Sequence, residues 1–145
     1  MAFLTKDDLK SELYEEVLES ITRGDDTRID TAIGLALGEA QNFLGIKYDV
    51  DDIYSKVGAE RNTTVLRLIK DIAVFRLYGV LESTPEDIQT RYDSARRDLE
   101  LIAGTAPKGH TIPLVGCKLK DLNVETDETR SISYINRAPS RNNYF

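Results

Sequence analysis

A chain of 145 residues with 41% hydrophobic and 8% aromatic residues is long enough for one compact core, and its ordinary Gly and Pro content excludes a fibrous or low-complexity protein. The formal charge of −6 is uneven, with −8 on residues 1–104 and +2 on residues 105–145. An acidic body argues against duplex DNA as a ligand, because phosphate neutralisation supplies most non-specific affinity.

Cys117, the single cysteine, excludes an internal disulfide framework and a thiolate zinc site. The first ten residues, MAFLTKDDLK, lack the basic and apolar regions of a signal peptide. No run reaches the roughly 20 apolar residues of a membrane span. The expectation is a soluble cytosolic protein with no membrane partner.

Four helices are predicted. The first opens at Thr5, whose hydroxyl caps while Asp8 reaches back, and runs to Arg23-Gly24. Leu9, Leu13, Val17 and Ile21 form its apolar line, which Tyr14 and Leu18 widen. The second covers about residues 27–44, with Ile29, Ile33, Leu37, Ala40 and Leu44 in line and Ala32, Ala36 and Phe43 beside them. Gly34 and Gly38, one turn apart, permit close backbone approach to another helix, and packing within the chain is the favoured reading of them. The third helix, about residues 61–79, is apolar on most sides, which makes it central. The fourth starts with Thr84 as cap and Pro85 in the first turn, and ends at Gly104. Its seam is Ile88, Tyr92, Ala95, Leu99 and Ile102.

The arginines of that last helix are not a DNA-reading set. Arg91, Arg96 and Arg97 are outnumbered by Glu86, Asp87, Asp93, Asp98 and Glu100. Asp87–Arg91 and Asp93–Arg97 are i,i+4 pairs in the favourable order, so a solvated, ion-paired face is expected.

Other candidate sites have plainer readings. DVDDIYSKVGAE, residues 49–60, places Asp49, Asp51 and Glu60 in an EF-hand frame, but Ile53 and Tyr54 occupy a ligand position and the required glycine. An acidic inter-helix loop is the better reading. His110 reads as a solvated loop residue and Cys117 as a small packing residue. With no P-loop, no GxSxG and no HExxH, neither enzyme chemistry nor a cofactor or metal is expected.

After Gly104 the pattern changes. CKLKDL alternates like a strand, RSISYI reads as a second short strand, and NRAPSRNNYF as a flexible end. The chain thus divides into a helical domain, residues 1–104, and an arm, residues 105–145. The fold class is mainly α, a four-helix bundle-like domain with an extended C-terminal arm containing one or two short β-strands. Ordering the arm costs about 1–2 kcal/mol per residue in backbone entropy, which its few apolar side chains hardly offset without a partner surface.

The segments TKDDL, IGLALGEAQNFLGIKYDV, LIKDIAVFRLYG and PEDIQTRYDSARRDLELIAGT together resemble the phage head–tail connector (adaptor, or head-completion) proteins, in particular the family typified by a Mu-like prophage structural protein. The resemblance covers about residues 3–105 and rests on packing residues. Mu-type members often end soon after the fourth helix, whereas this chain continues for about 40 residues. The resemblance implies a virion protein at the head–tail interface, assembled in the host cytoplasm as a homo-oligomeric ring, a dodecamer. Its implied partners are the portal protein and a stopper or tail-completion protein, and DNA passes the channel without sequence-specific binding. The candidate subunit or partner contacts are Gly34, Gly38, Ile132, Tyr134, Ile135, Arg137, Tyr144 and Phe145, with RSISYI free to join a partner's sheet edge. The alternative is a small helical regulatory or protein-interaction module, in one version DNA-associated.

Overall fold

The structure, a computed structural model, describes residues 2–79 and 84–120. Among them are six α-helices: α1 Lys6–Leu9, α2 Glu15–Thr22, α3 Asp26–Leu44, α4 Val50–Ser55, α5 Thr63–Tyr78 and α6 Glu86–Ala103. The protein is mainly helical, and no described helix is long and apolar enough to cross a membrane.

The three long helices α3, α5 and α6 pack against one another, with α1 and α2 laid against α5. α5 is the central element because its sequence is apolar nearly all round. Val65, Leu68, Ile69, Ile72, Ala73, Val74 and Leu77 are all buried. α3 buries the line expected of it, Ile29, Ala32, Ile33, Ala36, Ala40 and Leu44, while Leu37 and Phe43 are half-buried. The predicted seam of α6 is buried in full, at Ile88, Tyr92, Ala95, Leu99 and Ile102.

Several expectations are corrected. The first predicted helix is two. Tyr14 leaves the helical region (φ −60°, ψ 145°) and becomes the N-cap of α2. Before it, Glu12 and Leu13 N–H both donate to the Leu9 carbonyl, and the Ser11 hydroxyl donates to the Asp8 carbonyl, closing the first helix as a tight turn. The break rotates α2 so that it buries Leu18, Ile21 and Thr22. Tyr14 and Val17, predicted on the apolar face, are exposed.

Residues 49–60 are not a plain loop. Asp49 accepts the Asp52 N–H at 3.1 Å and caps α4, and a single 3-10 turn follows at Gly58–Glu60. At α6 the cap residue is Pro85, whose carbonyl accepts the Gln89 N–H, and Thr84 makes no side-chain cap.

Of the predicted strand at residues 117–122, residues 117–120 are described. They make one antiparallel bridge, Tyr48 to Leu119, with Asp49 N–H donating to Lys118 and Lys120 N–H to Lys47. No strand forms among the described residues, and RSISYI lies outside them. Residues 105–120 fold back on the helices. Leu114 enters the common core and its N–H donates to the Tyr48 hydroxyl at 2.9 Å, while the Val115 carbonyl accepts from Asn62 at 3.2 Å. Part of the surface that the arm requires is therefore supplied by the body itself.

Candidate functional site

The charged residues that could suggest chemistry are built into three clamps, each centred on an arginine. At the N-terminus Arg61 donates through Nη1 to the Phe3 carbonyl (2.8 Å) and Asp8 Oδ2 (2.9 Å), and through Nη2 to Asp8 Oδ1 (3.1 Å). The bidentate geometry suits a guanidinium and not an ammonium. Asp8 also accepts from the Thr5 N–H and hydroxyl, completing the capping box expected from TKDDL. Burial would raise this carboxyl, but the hydrogen bonds from Arg61 and Thr5 outweigh it and hold it at about 2.

The second clamp overturns the expected surface pairing on α6. Arg91 does not pair with Asp87. It turns inward and donates from Nε (3.0 Å) and Nη2 (2.5 Å) to Asp71 Oδ1, and from Nη2 to Glu12 Oε2 at 2.5 Å. Three segments are joined: the α1–α2 turn, α5 and α6. Asp71 is one of two buried polar residues among those described, and burial raises its carboxyl against the opposing pull of Arg91. Beside it Arg67 pairs with Asp98 at 3.3 Å. Asp93, the expected partner of Arg97, accepts from Gln89 at 3.1 Å. The sequence could not show this clamp because Glu12 and Arg91 are 79 positions apart.

In the third clamp Arg76 donates to Glu39, and the Tyr92 hydroxyl donates to the other Glu39 oxygen at 2.8 Å. The Tyr92 ring stacks on Phe75 with centroids 3.9 Å apart. This set ties α3, α5 and α6 at one level of the core. All three clamps bind carboxylates to guanidinium groups that hold helices together, an arrangement suited to rigidity.

Gly34 and Gly38 lie on the exposed side of α3, and a Cβ at either would meet nothing within 4 Å among the described residues. This overturns their expected role in packing within the chain. Ile132, Tyr134, Ile135, Arg137, Tyr144 and Phe145 lie outside the described residues. His110 is exposed. Cys117 is half-buried against the core, and burial pushes its thiol up, the direction of a packing residue.

Large apolar side chains also remain on the surface. Leu35 is 55% exposed beside Gly34, at the rim of a cleft of about 180 Å³ that also takes in Ile21, Ala32 and Leu77. Tyr14 (81%) and Val115 (86%) are the most exposed large hydrophobic residues among those described. Residue type and helical periodicity missed these positions because both describe buried faces, and at Tyr14 it is the break before α2 that turns the side chain outward. Residues 3–107, which span all six helices, match a family model described as Bacteriophage Mu, Gp36. No curated protein matches the chain.

Proposed function

Because the chain belongs to the bacteriophage Mu Gp36 family, we propose that this phage protein is a structural adaptor of the head–tail junction, and that it acts by assembly and not by catalysis. Copies of the protomer form a ring on the portal vertex, extend the DNA channel and offer the stopper or tail a docking platform. The observation that carries the reading is the division of labour among side chains. Arg61, Arg76 and Arg91 are committed to holding helices together, while large apolar residues such as Tyr14, Leu35 and Val115 stand in solvent. Exposed apolar groups on a rigid body suit contacts with other proteins.

The acidic body supports the passage of DNA without adhesion, since like charges repel along a channel wall. Quantitative mass spectrometry of purified virions tests the proposal by comparing the copy number of this chain with that of the portal. Parity is expected. Absence from mature particles would refute the adaptor role and leave a helical interaction module in its place.

A further inference from the structure

Residues 111–120 are fastened to the helical body by a different kind of contact from the one that holds the helices together. The guanidinium clamps on Asp8, Glu12, Glu39 and Asp71 all lie within the body, and among the described residues no ion pair reaches the 111–120 segment. Its fastenings are hydrogen bonds without a charge on either side. The Ile112 N–H donates to the Leu101 carbonyl at 3.1 Å, and the Leu114 N–H to the Tyr48 hydroxyl at 2.9 Å. Asn62, which caps α5 through Oδ1, donates through Nδ2 to the Val115 carbonyl at 3.2 Å. The Tyr48–Leu119 bridge adds the Asp49–Lys118 and Lys120–Lys47 backbone bonds at 2.9 Å. Neutral bonds of this kind contribute little net stability, because water replaces them when they open.

Apolar burial adds a single anchor. Leu114 is buried and Cys117 is half-buried against the core, while Ile112, Val115 and Leu119 stand exposed. A cleft of about 200 Å³ is left between Val115, Gly116 and Cys117 of the segment and Asp52, Ile53 and Lys56 of α4 and its end, so the two are not closely packed there. Gly109 and Gly116 take left-handed backbone (φ 69° and 82°), and the chain turns sharply on either side of its anchor. Few buried apolar contacts place a segment at the low end of local stability. Helices α3, α5 and α6 share the core and the clamps, and lie at the high end.

We propose that residues 111–120 form a releasable strap, which undocks and redocks as a unit with Leu114 as its plug while the helices stay folded. Docked, the strap occupies the Tyr48 hydroxyl and shields the Cys117 thiol. Undocked, it frees Ile112, Leu114, Val115 and Leu119 together as one apolar segment. The bridge bonds of Lys118 and Lys120 adjoin the chain that continues past residue 120, so a partner that takes hold of that chain opens them before Leu114 leaves. The strap thereby couples the chain beyond residue 120 to the part of the body where α3 ends and α4 begins. It is a property of the protomer and does not rest on the adaptor reading.

The single cysteine reports release, because Cys117 lies within the strap. The measurement is the rate at which the thiol of the full chain reacts with an aromatic disulfide reagent at neutral pH, with helicity followed by circular dichroism. Leu114→Ala removes the plug and is expected to raise the rate at least about tenfold. Tyr48→Phe removes the acceptor of the Leu114 N–H and is expected to raise it several-fold. Ile72→Val, which loosens the buried centre of α5 instead, is expected to leave the rate unchanged. Urea below the unfolding transition should raise the rate only slightly, because release exposes little surface. Equal rates in the wild-type chain, Leu114→Ala and Tyr48→Phe would overturn the strap, since Cys117 would then react without any release. So would a rate that climbs with urea as steeply as helix unfolding, an equal rise with Ile72→Val, or loss of helicity in Leu114→Ala, each of which would mean that the segment opens only when the helices do.

Discussion

The Arg91 clamp gives the sharpest prediction about stability. Asp71 is 6% exposed, and both Arg91 bonds end on its Oδ1 atom. The next cation is Arg67, whose Nη1 lies 3.8 Å from Oδ2. Removing one partner of a buried ion pair costs about 3–5 kcal/mol, because the remaining charge stays desolvated. The Arg91 side chain is itself 35% exposed, so water replaces part of what it gives, and the cost of Arg91→Met falls to about 2–3 kcal/mol. For a chain of this size that lowers Tm by about 5–10 °C. Adding Asp71→Asn removes the stranded charge and is expected to recover about 1–2 kcal/mol. Burial raises the folded-state value of Asp71 above the ordinary 3.8, and losing Arg91 raises it further. Folding then takes up a proton, so the deficit of Arg91→Met shrinks as pH falls through that raised value and is full at neutral pH. Urea unfolding followed by circular dichroism at neutral and acid pH measures each quantity. A loss below about 1 kcal/mol at neutral pH, or no recovery with Asp71→Asn, would refute the argument. Arg91 would then be a surface residue paired with Asp87.

Asp8 predicts the opposite pH behaviour. Its depressed value adds stability above pH 4 that is lost as pH falls toward 2, about 2 kcal/mol in all, so Asp8→Asn should flatten the acid limb of the stability profile. Gly34→Ala and Gly38→Ala fill open space on a helix and should each raise thermal stability by up to about 1 kcal/mol, read by calorimetry; destabilisation would mean that α3 is packed on that side. Tyr48→Phe removes the acceptor of the buried Leu114 N–H and should cost about 1–3 kcal/mol, with faster amide exchange at Leu114. Unchanged exchange there would show that residues 105–120 are held by other contacts.

The helices that were legible in the sequence are those whose periodicity serves a single buried face. α3 and α6 follow their patterns almost residue by residue, and α5 is central because it is apolar on most sides. The first helix failed for a physical reason. Leu9, Leu13, Val17 and Ile21 satisfy a continuous helix, but the bonds at Leu9 and Ser11 close a turn that sequence spacing does not register. Phe3 and Leu4 were missed as core, although Leu4 before the Thr5 cap and Leu9 at the fourth helical position form the pattern of a hydrophobic staple. The ion pairs were not legible: the two expected within a helix turn, Asp87–Arg91 and Asp93–Arg97, give way to Arg91 with Asp71 and Glu12 and to Asp93 with Gln89. Asp8–Arg61, Glu39–Arg76 and Glu12–Arg91 connect residues that only the tertiary fold brings together.

The residues that carry the family pattern are the ones that build these clamps and the core. In RYDSARRDLELIAG, Arg91 reaches Asp71 and Glu12, and Tyr92 stacks on Phe75 and bonds Glu39. Ala95, Leu99 and Ile102 fill the seam, and Gly104 takes the left-handed conformation (φ 78°) that ends α6. In FLGIKYDV, Tyr48 holds the returning chain through Leu114, and Asp49 caps α4. Each of these positions answers a demand of the folded protomer, and that is why a pattern of packing residues suffices to place the chain in a family. Tyr14, Leu35 and Val115 answer no such demand: they stand exposed, where the isolated protomer tolerates almost any side chain, and the proposed adaptor role is what would give apolar groups there a use.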